Sequence, residues 1–522
     1  MYVCTYACDC QSVLFSDLVK DTFSESVGDH LIRTSITLAL SKMFLGSSWI
    51  NALLLWSASS DCAYGWSSSS SVSRIGRGGW SVLNESGSGS SGDLNVVLRP
   101  SGKIDAFDGI KIGSSRVHRY GRSGEDNISP DDEQAEYVMW YHGRTADIDE
   151  KSDKLPPLST GRIGRATSRN GLVWERCEDG SLSEDMTGVA LGLNAEEWWG
   201  FDTAHVGLGQ VLLPMSTPAV MAEGGVYLMY YMGGSYEETP LSNYMPGLDD
   251  ESVKIQGMNM KIGVAVSQDG KTWGRVEGDD PSGAVMAPFN KDDPNMKLLL
   301  DMVDDDNQPL KLEEELYCAW PEVVYNEWSS KKGTKKSKHN FFMFYSSMAK
   351  HTLIKQINCA VSEDGFRWYK RGSCLKPTSG DEASLEDAGV ARCAVVQHAI
   401  FDEDKNTWKE QPLWIMLYEG ISSKDNKHRI FMATSNDART WEKRGLVLDV
   451  SSNEDAWDSM GVGSPHIIRL DDGTTRLYYT GQGPDGQTAI GVAKTPLSDI
   501  LNNDDEEQLL FQREQATIIF SS

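Results

Sequence analysis

The chain has 522 residues, with 76 acidic and 49 basic side chains and a formal net charge of −27. Such a charge repels a phosphate backbone, so nucleic acid is excluded as an expected partner. The nine cysteines are odd in number and scattered, so neither a disulfide framework nor a metal site is predicted, and no cofactor is expected. Sixteen Trp, 18 Tyr and 49 Gly favour many short strands joined by tight turns, that is, an all-β fold.

Residues 1–100 lack the repeats found later, and Ser and Gly dominate positions 57–92. An apolar stretch from Met43 ends in small residues before Ala63, as in a signal peptide, and it is too short for a membrane span. The Ser-rich sequence after Tyr64 resembles the bipartite plastid leaders of algae. We therefore expect a leader and linker over 1–100 and the secretory route, with a plastid as an alternative destination; a buried helix is the competing interpretation of the apolar stretch.

A strand–turn–strand phrase occurs four times in the rest of the chain, and a fifth, degenerate copy reads IGVAKTPLSD. Its Ser falls at 168, 267, 362 and 435 in GRATSRNGLVWER, GVAVSQDGKTWGR, NCAVSEDGFRWYKR and FMATSNDARTWEKR. Asn-Gly and Asp-Gly make tight hairpins, whereas Ala438 in the last copy predicts a turn of another form. The Trp that ends each phrase is expected to be a wedge between neighbouring sheets.

Two further elements precede each phrase. One is an aromatic apolar run, as in EYVMWYHG and VYLMYYMGG, and the other is a predicted innermost strand. The five predicted innermost strands are SSRVHRY, STPAVMA, AWPEVVY, ARCAVVQ and GSPHIIRL. Five such units predict a five-bladed β-propeller over residues 101–522.

This combination of strands and S-x-DG-x-x-W hairpins resembles the superfamily of five-bladed glycoside hydrolases that contains arabinanases, levansucrases and invertases (families 43, 32 and 68). The resemblance implies a central funnel that binds a sugar between three carboxylates. In that family the acids lie near a Pro at the start of the innermost strand. Here the matching positions are not acidic, and Glu322, directly after Pro321, is the nearest carboxylate.

An aspartate does recur several residues earlier, at the entrance to four blades. These residues are Asp108, Asp202, Asp387 and Asp458. They are expected either to bind sugar hydroxyls or to cap the turn into the innermost strand.

The candidate site is placed in blades two and three. Asp202 is the predicted base or nucleophile and Glu322 the predicted acid. Residues expected to contact the sugar are His205, Trp198, Trp199, Trp320, Asp108, Asp387, Asp458 and His466. A buried, hydrogen-bonded role is the alternative for each histidine.

The expected function is that of a glycoside hydrolase-like enzyme that acts on a glycosidic bond. The alternative is a non-catalytic propeller that binds a glycan or a protein, which the missing acids favour. A third interpretation is a phosphorolytic relative in which Arg116, Arg392 and His466 hold inorganic phosphate.

Overall fold

The computed structural model describes residues 94–103, 106–120, 136–145, 154–155, 160–178, 186–217, 224–245, 248, 250–293, 296, 310–326, 340–378, 384–402, 406–409, 411–501 and 511–516. All of them belong to one compact unit, Leu54–Ser522. The apolar stretch after Met43 and the Ser/Gly-rich linker lie outside the described residues.

The described residues form an all-β structure, as predicted. After β1 (Val96–Leu98), the first antiparallel meander consists of β2 (Lys111–Tyr120), β3 (Glu136–Arg144), β4 (Arg162–Ser168), β5 (Glu175–Arg176) and β6 (Val189–Leu191). The second consists of β7 (His205–Met215), β8 (Val226–Gly234), β11 (Lys261–Ser267) and β12 (Gly274–Val276), with the hairpin β9 (Thr239–Pro240) and β10 (Lys254–Ile255) and a 3₁₀ helix, Leu241–Asn243, inserted after β8.

The later meanders have the same strand order. The third is β13 (Glu315–Tyr325), β14 (Phe341–Ala349), β15 (Lys355–Ser362) and β16 (Tyr369–Leu375). The fourth is β17 (Gly389–His398), β20 (Leu413–Ile421), β21 (His428–Ser435) and β22 (Glu442–Leu448), with β18 (Phe401–Asp402) paired to β19 (Thr407–Trp408). The fifth is β23 (Gly461–Arg469), β24 (Thr474–Gln482) and β25 (Thr488–Pro496), followed by α1 (Leu497–Leu501) and β26 (Gln512–Arg513).

Both ends of the described chain complete the fifth meander. Strands β1 and β26 each pair with β25. Asn95, just before β1, donates to the Tyr479 hydroxyl at 2.7 Å and accepts from the Trp457 indole at 3.1 Å. The predicted boundary after residue 100 is therefore a few residues too late, because Asn95 is already buried in this meander.

The first strand of the second meander differs from the prediction. The sequence indicated STPAVMA, but the strand that pairs with β8 is β7, which begins at His205. Ser216 and Thr217 follow β7, and residues 218–223 lie outside the described part. Val206, Leu208 and Val211 of β7 are buried, so β7 supplies the apolar side chains that the first strand of a meander needs.

The recurring phrase forms the predicted hairpin. In the second meander the Ser267 hydroxyl accepts from Gly270 N at 2.9 Å, and Asp269 accepts from Lys271 N and Thr272 N. The fourth meander keeps this turn, contrary to the prediction, because Ala438 itself adopts a left-handed conformation with φ 61°.

The wedge role of the repeated Trp is confirmed. Each indole packs edge-on against an aromatic ring on the second strand of the preceding meander, and for the first meander this neighbour is the fifth. The pairs are Trp174–Tyr478, Trp273–Trp140, Trp368–Tyr230 and Trp441–Phe344, with ring centroids 5.6 to 6.3 Å apart.

Candidate functional site

A buried acid, a tyrosine and a cation form one cluster in every meander. The acid precedes the first strand or begins it, the tyrosine lies on the second strand, and the cation lies on the fourth. The five clusters are Asp108–Tyr141–Arg176, Asp202–Tyr231–Arg275, Glu315–Tyr345–Lys370, Glu386–Tyr418–Lys443 and Asp458–Tyr479–Arg513.

The second cluster shows the geometry. Asp202 is 1% exposed, and its Oδ2 accepts from the Tyr231 hydroxyl at 2.8 Å and from Arg275 Nε at 2.7 Å. Burial and the adjacent carboxylate raise the pKa of Tyr231 well above its usual value, so the hydroxyl stays a donor. A Cβ at Gly233 would lie 2.5 Å from the Asp202 Cβ, which explains why a glycine stands there on the second strand.

These clusters determine where the predicted entrance acids lie. Asp108, Asp202 and Asp458 each bind a tyrosine and an arginine of their own meander, so they join its second strand to its fourth strand rather than capping a turn. Asp387 does not belong to the series and accepts from the Ser423 backbone N–H and hydroxyl.

The fourth cluster instead uses the residue before Asp387. Glu386 Oε2 accepts from the Tyr418 hydroxyl at 2.7 Å, and its Oε1 accepts from Lys443 Nζ at 2.6 Å. The longer glutamate side chain reaches the same partners from one position earlier. In the third meander, where the sequence indicated no entrance acid, Glu315 is the acid.

Glu322 lies on β13 and binds the first strands of the first and fourth meanders. Its Oε1 accepts from Val395 N at 3.0 Å, and its Oε2 lies 3.3 Å from the Arg116 guanidinium. Arg116 also donates to Gly209 O at 2.6 Å and Pro465 O at 3.1 Å. Burial raises the pKa of Glu322 to about 7, although Arg116 opposes this shift. Among the described residues, no hydrogen bond or ion pair joins Glu322 to Asp202.

The histidines predicted near the site are buried and bonded to backbone carbonyls. The Nε2 atom of His466 lies 2.9 Å from Val117 O, and that of His205 lies 2.8 Å from Gly257 O. Burial lowers the pKa of His466 well below its usual value, so its ring is neutral at pH 7.

A small pocket lined by both apolar and charged side chains lies between the third and fourth meanders, beside Met258 and Met260 of the second. It is lined by Met258, Met260, Tyr317, Trp320, Lys355, Ala391, Arg392, Glu419, Ile421 and His428. Its volume of about 20 Å³ holds one water-sized group.

Glu419 anchors the charges of this pocket. It is 1% exposed and accepts from Arg392 Nη1 at 3.2 Å, from Ser464 N at 2.9 Å and from His428 Nδ1. Burial opposes its ionisation, but Arg392 and His428 outweigh burial and hold the pKa of Glu419 well below its usual range. A Cβ at Gly463 would lie 2.2 Å from Glu419 Oε2, so only glycine leaves room for this carboxylate.

Cations and aromatic rings surround that carboxylate. The Arg392 guanidinium lies 4.5 Å from the centre of the Trp320 ring, and Trp320, at φ 48°, is the bulged residue of β13. Among the described residues, its buried indole N–H has no hydrogen-bond partner. Burial and Arg392 lower the pKa of Lys355 to about 8. The pocket therefore combines an imidazole held by a carboxylate, two cationic side chains and an indole N–H.

A larger cavity of about 650 Å³ lies at the other end of the first strands. Aliphatic side chains such as Leu212, Val323 and Ile467 dominate its wall, and no carboxylate lines its described part. Glycosidic chemistry needs an acid and a base or nucleophile, so the smaller pocket is the better candidate.

The predicted aromatic contacts have different surroundings. Trp320 lines the pocket, whereas the Trp198 side chain is 88% exposed and Trp199 is partly exposed on the turn before β7. The sequence pattern indicates Arg392 only as a phosphate ligand and does not single out Glu419 or His428. The available signal was Glu419 itself, a lone acid within the apolar strand LWIMLYEG.

In the described part of the chain, no group of three or more His, Cys, Asp or Glu could hold a metal ion. None of the helices described there is long and apolar enough to cross a membrane.

No family model matches the chain. A 1,2-beta-oligomannan phosphorylase of Thermoanaerobacter sp. (strain X514) is 30% identical over 104 residues, which are 20% of this chain and 30% of the phosphorylase. The uncharacterized protein MT1551 of Mycobacterium tuberculosis (strain CDC 1551 / Oshkosh) is 28% identical over 137 residues, 26% of this chain and 39% of the relative. The chain thus spans less than two fifths of these curated relatives.

Among solved structures, a thermostable family-43 glycoside hydrolase aligns with 79% of this chain and 97% of its own, at 14% identity and a TM-score of 0.43.

Proposed function

We propose that the protein is a carbohydrate-active enzyme that cleaves a glycosidic bond at the mouth of the pocket formed by Trp320, Lys355, Arg392, Glu419 and His428. The carrying observation is that, in the described part of the chain, this charged group lines a pocket in one place, whereas the acid–tyrosine–cation cluster occurs in all five meanders. A feature shared by all repeats serves packing, so chemistry is expected where the repeat is broken.

We also propose that the five meanders are the blades of a five-bladed propeller. The first strands β2, β7, β13, β17 and β23 contact one another in that cyclic order, and β23 contacts β2. Arg116 supports the same arrangement, because its side chain reaches carbonyl or carboxylate oxygens on the first strands of the other meanders.

In the proposed reaction His428 is the general acid. Glu419 binds Nδ1 and orients the ring, so Nε2 is the nitrogen that transfers the proton to the leaving glycosidic oxygen. The bond between the anomeric carbon and that oxygen breaks while a nucleophile bonds to the carbon. Trp320 offers a face and an N–H donor to the sugar.

Inorganic phosphate is the proposed nucleophile, since Arg392 and Lys355 supply more positive charge than Glu419 neutralises. The product would then be a sugar phosphate together with a glycan shortened by one unit. The matching 1,2-beta-oligomannan phosphorylase supports the same choice. Water as the nucleophile gives the hydrolytic form of the same reaction.

A non-catalytic glycan-binding propeller is the second candidate. The observation that favours it is that both candidate acids are already paired: Asp202 is held by Tyr231 and Arg275, and Glu419 by Arg392 and His428. A binding protein would retain glycan at the pocket and release no product.

The test is incubation of the purified full chain with β-1,2-mannooligosaccharides, arabinan and levan, each with and without inorganic phosphate. Phosphorus NMR detects sugar phosphate and a reducing-end assay detects hydrolysis. Phosphate-dependent product supports phosphorolysis, and product without phosphate supports hydrolysis. Glycan binding without product supports the binding protein, and neither binding nor product contradicts a carbohydrate function.

For the N-terminal region we propose a secretory leader with a linker, from the composition of residues 43–92. Sequencing the N-terminus of the mature protein tests this proposal. A start near Tyr64 or later supports it, and a cytosolic protein that retains residues 1–63 contradicts it.

A further inference from the structure

Trp198 is an indole that the fold leaves uncovered. Its side chain is 88% exposed, while the neighbouring Trp199 is 38% exposed. Tryptophan is highly buried on average, although single apolar residues on a protein surface are normal. The exposed indole of Trp198 presents an accessible aromatic face, and the surroundings of that face decide whether it suits a ligand.

The turn that carries Trp198 is fixed in place. Asn194 N donates to Asp202 O at 3.1 Å, Glu197 N donates to Asn194 Oδ1 at 3.1 Å, and Gly200 N donates to Glu197 O at 2.8 Å. The Asn194 amide also donates to the Glu197 carboxylate at 3.1 Å. A ligand that stacks on Trp198 would lose little affinity to ordering of this turn.

The turn and the pocket belong to the same end of the second meander. The turn leads into β7 at His205, whose ring lies 2.8 Å from Gly257 O. Met258 and Met260, directly after Gly257, line the pocket. The turn that carries Trp198 and the pocket-lining Met258 therefore lie at the same end of this meander.

The charge around Trp198 restricts the ligand. Glu196 and Glu197 are exposed beside it, and the whole chain carries a net charge of −27. These charges repel nucleic acid and anionic membranes, whereas carboxylates accept hydrogen bonds from sugar hydroxyls. The face of an indole stacks against the C–H face of a pyranose.

We infer that Trp198 is a stacking platform for a neutral oligosaccharide, a subsite outside the pocket where the bond is cleaved. The inference rests on the proposed function only in taking a glycan as the ligand. We expect the platform to add affinity for a polysaccharide and to add none for a sugar that fills the pocket alone.

The test is native gel electrophoresis with β-1,2-mannan, arabinan or levan cast into separate gels. One polysaccharide should retard the wild-type protein, and Trp198→Ala should weaken that binding about tenfold, the effect of losing one aromatic stacking contact. Trp198→Phe should restore part of it. The control is Tyr369→Ala, which removes an aromatic ring of similar exposure to Trp199 from β16 and should bind like wild type.

Equal retardation of wild type and Trp198→Ala would overturn the inference, as would a wild-type protein that none of the three gels retards. Arg392→Met separates this outcome from a failure of the proposed function. If Trp198 is the platform, the gel should still retard Arg392→Met, including a variant that has lost turnover. If the gel no longer retards Arg392→Met but retards Trp198→Ala like wild type, all glycan binding belongs to the pocket.

Discussion

The repeated clusters and the pocket contain the same kinds of side chain in different roles. In every meander a buried acid binds a tyrosine and a cation, as Asp202 binds Tyr231 and Arg275, and the group joins the second strand to the fourth. At Glu419 an acid, an arginine and a histidine meet once, beside a pocket and an aromatic face. In a repeat protein, a buried acid therefore indicates a functional site when the equivalent positions of the other repeats are not acidic.

The largest expected effect separates two adjacent acids of the fourth meander. Glu386→Ala removes the partner of Tyr418 and leaves Lys443 without its buried carboxylate, which should cost about 3–5 kcal/mol of unfolding free energy. Asp387→Ala loses only contacts to Ser423 and should cost at most about 1 kcal/mol. Urea denaturation measures both values. Equal costs would show that the clusters are not what stabilises each meander.

A second experiment uses the buried acid of the first strands. Glu322 has a pKa of about 7 in the folded protein, above its ordinary value, so the folded state keeps a proton that the unfolded state releases. This stabilisation is complete below pH 4.5 and is lost as the pH rises through 7. The unfolding free energy of wild type relative to Glu322→Gln should fall by about 3 kcal/mol across this window. A difference that does not change with pH would contradict the burial argument.

A smaller effect tests where the folded domain begins. Asn95→Ala leaves the buried Trp457 N–H without its acceptor and removes a bond to Tyr479, which should cost about 1–3 kcal/mol. Deletion of residues 1–93 removes a segment rich in Ser and Gly and should change the unfolding free energy by less than about 0.5 kcal/mol. Thermal or urea unfolding of both proteins measures the two losses of unfolding free energy. A larger loss in the deletion than in Asn95→Ala would refute the boundary.

The sequence predicted the all-β fold, the hairpin phrases and the wedge tryptophans because each depends on a few adjacent residues. It missed β7 because STPAVMA has an equally apolar pattern, and only pairing with β8 distinguishes the two. It selected Asp202 since a neighbouring histidine and two tryptophans suggested a site. Which acids are neutralised depends on Tyr231 and Arg275, many positions away, and this long-range pairing has no local signal.

The pocket was largely missed for a related reason. Trp320 was named and Arg392 was considered, but Glu419 and His428 lie on different strands of the fourth meander and meet only through the register of β20 and β21. The available signal was Glu419, because the equivalent position of the other second strands is not acidic. The residues there are His142, Met232, Ser346 and Thr480.

The central claim is that chemistry occurs at the unrepeated cluster and not at the repeated one. It is tested most directly by measuring kcat per folded molecule for His428→Gln and Asp202→Asn, on whichever glycan the wild-type protein cleaves. We predict that His428→Gln lowers kcat at least about 100-fold with a melting temperature near that of wild type, as expected for loss of a general acid, whereas Asp202→Asn lowers the melting temperature and leaves kcat within about twofold. The opposite result would contradict the claim: Asp202→Asn loses kcat without losing stability, and His428→Gln has unaltered turnover. The active site would then lie at the entrance of the second meander.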